Sequence, residues 1–313
     1  MSDSKSDEQP RVAMLGAKLV ARLVEGLRHF HWKFFFVSVL AIMAVLTSAF
    51  VILMSPFCAM SLYNRALFGP LKYPAGAYDQ PNVDGITPSD HYFKAVDGNS
   101  LHAWYYQAPG AKHVVLWSHG QGANISYGKR LYSIFISEGN SVFAYDYEGY
   151  GRSEGQPTMD RICEDGHAAY HYLVDKLKVS PDRLILFGES LGTVVTGDVA
   201  NTEKAGAVIL QCPLYSVLDR GRELLPWLTL YPEWMWPRNG LNISRVFGKP
   251  HAPLLVIAGT KDRTTTVRQA DILFAGASEP KTYIRIPGAG HTDPVMISSP
   301  IYLSGLRAFF GSD

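Results

Sequence analysis

The chain has 313 residues, 47% of them hydrophobic, and its 29 basic and 28 acidic side chains leave a formal charge of +1. That length holds one large α/β domain with an appendage, or two small domains, and the apolar content excludes a chain disordered throughout. The charge balance excludes a nucleic-acid surface, which needs a basic excess to displace counterions, and leaves small or lipidic partners.

Residues 1–33 form a polar and basic N-terminal segment. Within it, Val12 to Phe30 sets Lys18, Arg22 and Arg28 among Leu and Val, a pattern that serves equally a basic amphipathic helix on an anionic membrane surface and a solvated helix. Phe34 to Met54 then runs 21 residues without a charge. At about 1.5 Å per residue this matches the roughly 30 Å hydrocarbon core, so residues 34–54 are predicted to be a transmembrane anchor. A helix of a soluble core is seldom apolar on every face for this length. Trp32 and Tyr63 fall where interfacial aromatics belong.

The run is too long for the apolar region of a cleaved signal peptide and starts only after residue 33. Phe57 also puts a bulky ring before Cys58, where a lipoprotein signal has a small residue. Lys18, Arg22, Arg28 and Lys33 precede the span, whereas only Arg65 and Lys72 follow it over a similar distance. The positive-inside bias therefore predicts a cytoplasmic N-terminus, with the rest of the chain on the lumenal, periplasmic or extracellular side. Residues 55–89 are predicted to be a linker.

Residues 90–313 read as one α/β domain. HYFKAV and LHAWYYQ flank the turn DGNS as a hairpin. VVLWSHG, SVFAYDY, LILFGES, AVILQCP, PLLVIAG and KTYIRIPG follow, separated by stretches long enough for crossover helices. Near-continuous Val/Ile/Leu strands of this kind belong to a mostly parallel sheet covered on both faces, with ligand sites at the carboxyl ends of the strands. Tyr215 to Ala252 interrupts the alternation with a Trp-, Leu- and Pro-rich stretch. Cys58, Cys163 and Cys212 lack any Cys-x-x-Cys spacing and read as small buried hydrophobes.

Gly-x-Ser-x-Gly occurs twice, as GRSEG around Ser153 and GESLG around Ser190. A nucleophile elbow needs the serine to end a strand and begin a helix. Ser190 meets that condition, with LILF before it and TVVTGDVANTEK after it. Ser153 does not, because Gly149, Tyr150 and Gly151 separate it from its strand, and it is expected to be a loop residue. A serine hydroxyl needs a base, itself oriented by a third group. His291, in a Gly-rich loop after the last strand, is the expected base. Asp262, three residues past PLLVIAG, is the expected acid, with Asp146 and Asp293 as rivals. His119 ends a strand but stands among residues suited to another task. His167 and His171 are spaced i, i+4 without the Glu of a His-Glu-x-x-His zinc motif and are expected on a solvated or core face. The backbone N–H groups of Gln121, in HGQGAN, and of Leu191 are the expected oxyanion donors.

HGQGAN, DYEGYGRSEGQP, GESLG, GTKDRTTTV and GAGHTDP, in this order, resemble the membrane-anchored serine hydrolases of the α/β-hydrolase superfamily, a group that includes lysophospholipases, monoacylglycerol lipases and protein depalmitoylases. The resemblance covers roughly Asp90 to Phe310. It implies an α/β-hydrolase fold with a small cap insertion at about 215–252, a Ser190/Asp262/His291 triad, and no metal or organic cofactor. Two departures stand out: Glu148 occupies a position where relatives commonly carry Arg, and the N-terminus lacks the cysteine cluster of the depalmitoylases. With the anchor and the cap, the implied substrate is a lipid or other acyl ester, such as a monoacylglycerol or lysophospholipid. A non-catalytic binding protein, and a peptidase or acyltransferase on the same triad, are the alternatives. Asn124 and Asn242 begin Asn-x-Ser sequons, and a glycan on Asn124 would obstruct the expected site.

Overall fold

The computed structural model describes residues 8–28, 32–73, 82–122, 124–292 and 298–311. The chain divides into two units, Met1–Cys58 and Ala59–Asp313. The first contains α1 (Glu8–Arg28) and α2 (Trp32–Leu53). In α2, mean hydropathy reaches 2.7 and no residue is buried. At 22 residues it extends about 33 Å, and among the described residues it is the one helix long and apolar enough to cross a membrane. It starts at Trp32 rather than Phe34, and the Trp32 ring packs on Phe35 and Phe36 one turn on. A further helix, α3 (Pro56–Leu67), follows at once, inside the stretch expected to be linker.

The second unit is built on an eight-stranded sheet ordered β1-β2-β4-β3-β5-β6-β7-β8. β1 (Ser89–Lys94) and β2 (Ser100–Tyr106) form the expected hairpin, antiparallel with Lys94 opposite Ser100. Gly98 supplies a positive φ in its turn. β2 also pairs antiparallel with β4 (Asn140–Tyr145). From β4 onward every pairing is parallel, through β3 (His113–Ser118), β5 (Leu184–Glu189), β6 (Ala207–Gln211), β7 (Leu254–Gly259) and β8 (Lys281–Ile286).

The period of two along a strand divides the core into two layers. Val114 and Leu116 of β3 join one apolar cluster, and Val115 and Trp117 join the other. The first cluster is covered by α5 (Met159–His171), α6 (Gly192–Thr202) and α10 (Val267–Gly276); the second by α4 (Lys129–Ser137) and α11 (Pro300–Phe310). This is the α/β-hydrolase fold, a mostly parallel sheet flanked by helices. Tyr215 to Ala252 folds as α7 (Val217–Leu224), two 3-10 turns, α8 (Arg238–Leu241) and α9 (Ser244–Phe247). Of its tryptophans, Trp236 is buried against Tyr63 of α3, whereas Trp234 is exposed.

The Glu148 carboxylate is not left as a bare charge. It is buried and receives Nη1 of Arg161 at 2.8 Å and Nδ2 of Asn99 at 3.0 Å. Asn124 is also buried, its Oδ1 capping the turn Ile125–Gly128 and its Nδ2 bonded to the Leu71 carbonyl, so the folded domain does not present it to a glycosyltransferase. Phe187 sits on central strand β5, fully buried, with its ring edge-on to Phe135 at 5.1 Å. Phe187→Ala is expected to cost about 3–5 kcal/mol, measured by denaturant unfolding of the detergent-solubilised chain.

Candidate active site

The parallel strands end at one edge, and the residues singled out in the sequence lie just beyond those ends. Ser190 follows β5 directly, with φ of +53°, a left-handed conformation that costs an L-residue on the order of 1–3 kcal/mol. The glycines two residues to either side make it feasible. A Cβ on Gly188 would lie 2.6 Å from the Gly192 carbonyl oxygen, and one on Gly192 would lie 1.9 Å from the Ser118 carbonyl oxygen. The Ser190 N–H still pairs with the Gln211 carbonyl at 2.9 Å, and its own carbonyl accepts from Thr193 N–H at 3.0 Å and Thr193 Oγ1 at 2.6 Å. The turn is thus locked from both sides.

Ser190 Oγ lies 2.9 Å from His291 Nε2, and His291 Nδ1 lies 2.7 Å from Asp262 Oδ2. A ring that donates from Nδ1 to the carboxylate leaves its Nε2 lone pair facing the serine hydroxyl. Asp262 is anchored beyond that contact. Its Oδ1 accepts from the N–H groups of Thr264 and Thr265 at 2.8 and 2.9 Å, and the Thr265 hydroxyl stands 3.0 Å from Oδ2 and 2.9 Å from the Cys212 carbonyl. Burial alone would raise the Asp262 carboxyl. The hydrogen bond and charge of His291, with the Thr264 and Thr265 bonds, outweigh burial and hold it below the usual carboxylate range. Thr265 had no signal of its own in the sequence, being one of three consecutive threonines.

Gln121 and Leu191 flank the serine. A Cβ on Gly120 would touch the Ser190 Cβ at 3.4 Å, which sets the HGQG loop against the elbow. Among the described residues, neither the Gln121 nor the Leu191 N–H has a hydrogen-bond acceptor. The loop's carbonyls, in contrast, are tied back. Tyr147 OH donates to His119 O at 2.9 Å, His119 Nδ1 to Gly120 O at 2.8 Å, and Tyr150 OH to Gln121 O at 2.8 Å. Burial pushes the His119 imidazole down, so it serves this loop as a neutral donor. Nothing in the local sequence assigns either tyrosine hydroxyl to this loop.

Ser153 is also buried, but its Oγ donates to the Asp146 carbonyl at 2.7 Å and accepts from the His102 N–H at 2.9 Å. Asp146 accepts from Ile125 N–H, and a Cβ on Gly151 would collide with its Oδ2, so it shapes the glycine loop. Asp293 lies outside the described residues. One ligand atom each from Cys212, Asp262 and His291 gather within 4.8 Å. Asp262 and His291 already engage each other there, and burial pushes the Cys212 thiol well up, away from the thiolate a metal needs.

Glu189, the residue before the serine, is a further member that the motif hides in a variable position. Burial pushes its carboxyl up to about 7 against the opposing pull of His291. A carboxyl raised above its ordinary 4.5 disfavours the fold once ionised, so stability falls as pH rises from about 4.5 to about 7 and stays lower beyond. Glu189→Gln is therefore expected to melt higher than the parent at about pH 8, the gain fading below about pH 4.5, in thermal melts across that range.

The family model described as "Serine aminopeptidase, S33" matches residues 109–251. An uncharacterized protein of Mycobacterium tuberculosis is 30% identical over 282 residues, spanning 87% of this chain and 93% of that protein. The human alpha/beta hydrolase domain-containing protein 17B is 31% identical over 222 residues, 69% of this chain and 73% of its own. Among solved structures, an esterase of Pyrococcus furiosus aligns with a TM-score of 0.61 at 18% identity, covering 78% of this chain and 98% of the esterase, a likeness of fold. The chain belongs to the α/β-hydrolase family, among relatives that include the alpha/beta hydrolase domain-containing 17 proteins, and is a hydrolase.

Proposed function

We propose that the protein is a membrane-anchored serine hydrolase that cleaves a lipid ester through an acyl-enzyme on Ser190. The observation that carries this reading is the unbroken run of hydrogen bonds from Ser190 through His291 to Asp262. His291 takes the serine proton as Oγ attacks the acyl carbon, and Asp262 holds the ring and stabilises the imidazolium. The N–H groups of Gln121 and Leu191 receive the developing oxyanion, each worth roughly 2.7–4 kcal/mol in comparable sites. His291 then returns the proton to the leaving oxygen, and water, activated by the same imidazole, releases the acid.

Two features support a lipid as the acyl donor. Helix α2 has the length and hydropathy of a membrane span. In the second unit, an apolar cavity is lined by Tyr63, Leu67, Met159, Leu214, Leu218 and Trp236. Leu214 of this cavity is tied to the serine turn, since its N–H donates to Thr193 Oγ1, which donates to the Ser190 carbonyl. A monoacylglycerol or lysophospholipid combines one acyl chain for such a cavity with a polar head left outside. The match to the serine aminopeptidase model favours a peptidase as the second reading.

Ser190→Ala is expected to lower ester turnover by more than about 10³-fold, while Ser153→Ala retains turnover within a few-fold. A panel of monoacylglycerols, lysophospholipids, short soluble esters and aminoacyl amides separates the readings. Preference for the long-chain esters supports the proposal; preference for the amides transfers it to a peptidase. The excess of Lys and Arg before α2 supports a cytoplasmic N-terminus. Protease added to intact cells is expected to digest the hydrolase domain and to spare an N-terminal epitope tag.

A further inference from the structure

At the opposite end of α6 from Ser190, two imidazoles converge on one carboxylate oxygen. His167 and His171 stand one turn apart on α5. Glu203, the residue that caps the C-terminus of α6, places Oε1 3.5 Å from His167 Nδ1 and 3.2 Å from His171 Nε2. One ligand atom from each of the three lies within 4.8 Å of the others. The second nitrogen of each ring also faces a carboxylate: His167 Nε2 is 3.1 Å from Asp198 Oδ2, and His171 Nδ1 is 3.6 Å from Asp175 Oδ2. Asp198 is held in turn by Arg238 Nη1 at 3.0 Å.

Proton counting makes this arrangement informative. A neutral imidazole carries a single N–H; with that N–H outward, toward Asp198 and Asp175, both inward nitrogens present lone pairs to Glu203 Oε1. Positive charge between them removes the repulsion, supplied either by two extra protons or by one metal ion. The spacing accommodates the ion. Tetrahedral ligands at about 2.0–2.1 Å from Zn²⁺ stand about 3.3–3.4 Å from one another, and the separations of 3.2 and 3.5 Å at Glu203 Oε1 bracket that edge. With Nδ1 of His167 and Nε2 of His171 toward the ion, the outward N–H groups face Asp198 and Asp175, the carboxylate support that metal-bound imidazoles recruit.

We propose that His167, His171 and Glu203 form a transition-metal site, best suited to Zn²⁺ with water in the fourth position. The site ties α5 to α6, the helix that begins at the Ser190 elbow. The 11 residues of α6 separate it from that elbow by about 17 Å, so it is independent of the triad. Two imidazoles among three ligands select against Mg²⁺ and Ca²⁺, which take oxygen.

The test uses the full chain in detergent, stripped with chelator and titrated near neutral pH with Zn²⁺, Co²⁺ and Mg²⁺. Expected are one equivalent of Zn²⁺ by calorimetry, visible absorption of four-coordinate Co²⁺, no response to Mg²⁺, and a Tm higher by about 5–10 °C at 100-fold excess over Kd. His171→Ala, whose ring is half exposed and leaves the core intact, and Glu203→Gln should each weaken Zn²⁺ binding by at least about 10-fold. His291→Ala, which removes the competing cluster beside Cys212, should leave it unchanged. Absence of stoichiometric binding overturns the proposal, as does binding that survives His171→Ala and Glu203→Gln or is lost in His291→Ala.

Discussion

The left-handed turn at Ser190 is the constraint on which the rest of the domain's chemistry depends. At φ of +53° the serine leaves the line of β5 and presents its hydroxyl at the sheet edge, a position that a relaxed strand-to-helix connection would not provide. The strain persists because the surroundings fix it. The Ser190 N–H stays in the β5–β6 ladder, and the missing side chains of Gly188 and Gly192 admit the start of α6 and the end of β3 at contact distance. One methyl group at Gly192 would push β3 away and take the HGQG loop with it.

Sheet order converts that local turn into a site. β5 lies between β3 and β6, and β7 and β8 follow β6, so residues after β3, β5, β7 and β8 meet above one edge although 101 positions separate Ser190 from His291. Each group there is positioned by something behind it. Thr265 bridges Asp262 to the carbonyl beyond β6, and Tyr147 and Tyr150 hold the carbonyls of the HGQG loop. Among the described residues the Gln121 N–H has no acceptor, the condition an oxyanion donor must meet.

How much of this was legible in the sequence follows from the range of the forces involved. The strands were readable because Val, Ile and Leu runs report burial on both faces, and the hairpin because Asp97 and Gly98 set its turn. Choosing Ser190 over Ser153 needed only the residues on either side. Thr265, Tyr147, Tyr150 and Glu189 were not legible, since their importance arises from hydrogen bonds and burial contributed by distant segments. The same holds for His167 and His171: the helical spacing was visible, but Glu203 arrives from another helix. The stretch expected to be linker contains α3, whose Tyr63 packs on Trp236 and whose Leu67 lines a cavity with Leu218, both far along the chain, a partnership that no local pattern encodes.

Our proposal makes Ser190, and not the other serine in a matching pentapeptide, the activated nucleophile. Mass spectrometry of peptides from the intact chain after treatment with a fluorophosphonate tests it most directly. Expected is a single stoichiometric adduct on the peptide carrying Ser190, abolished in His291→Ala. An adduct on the Ser153 peptide, or labelling of Ser190 that persists without His291, would contradict it.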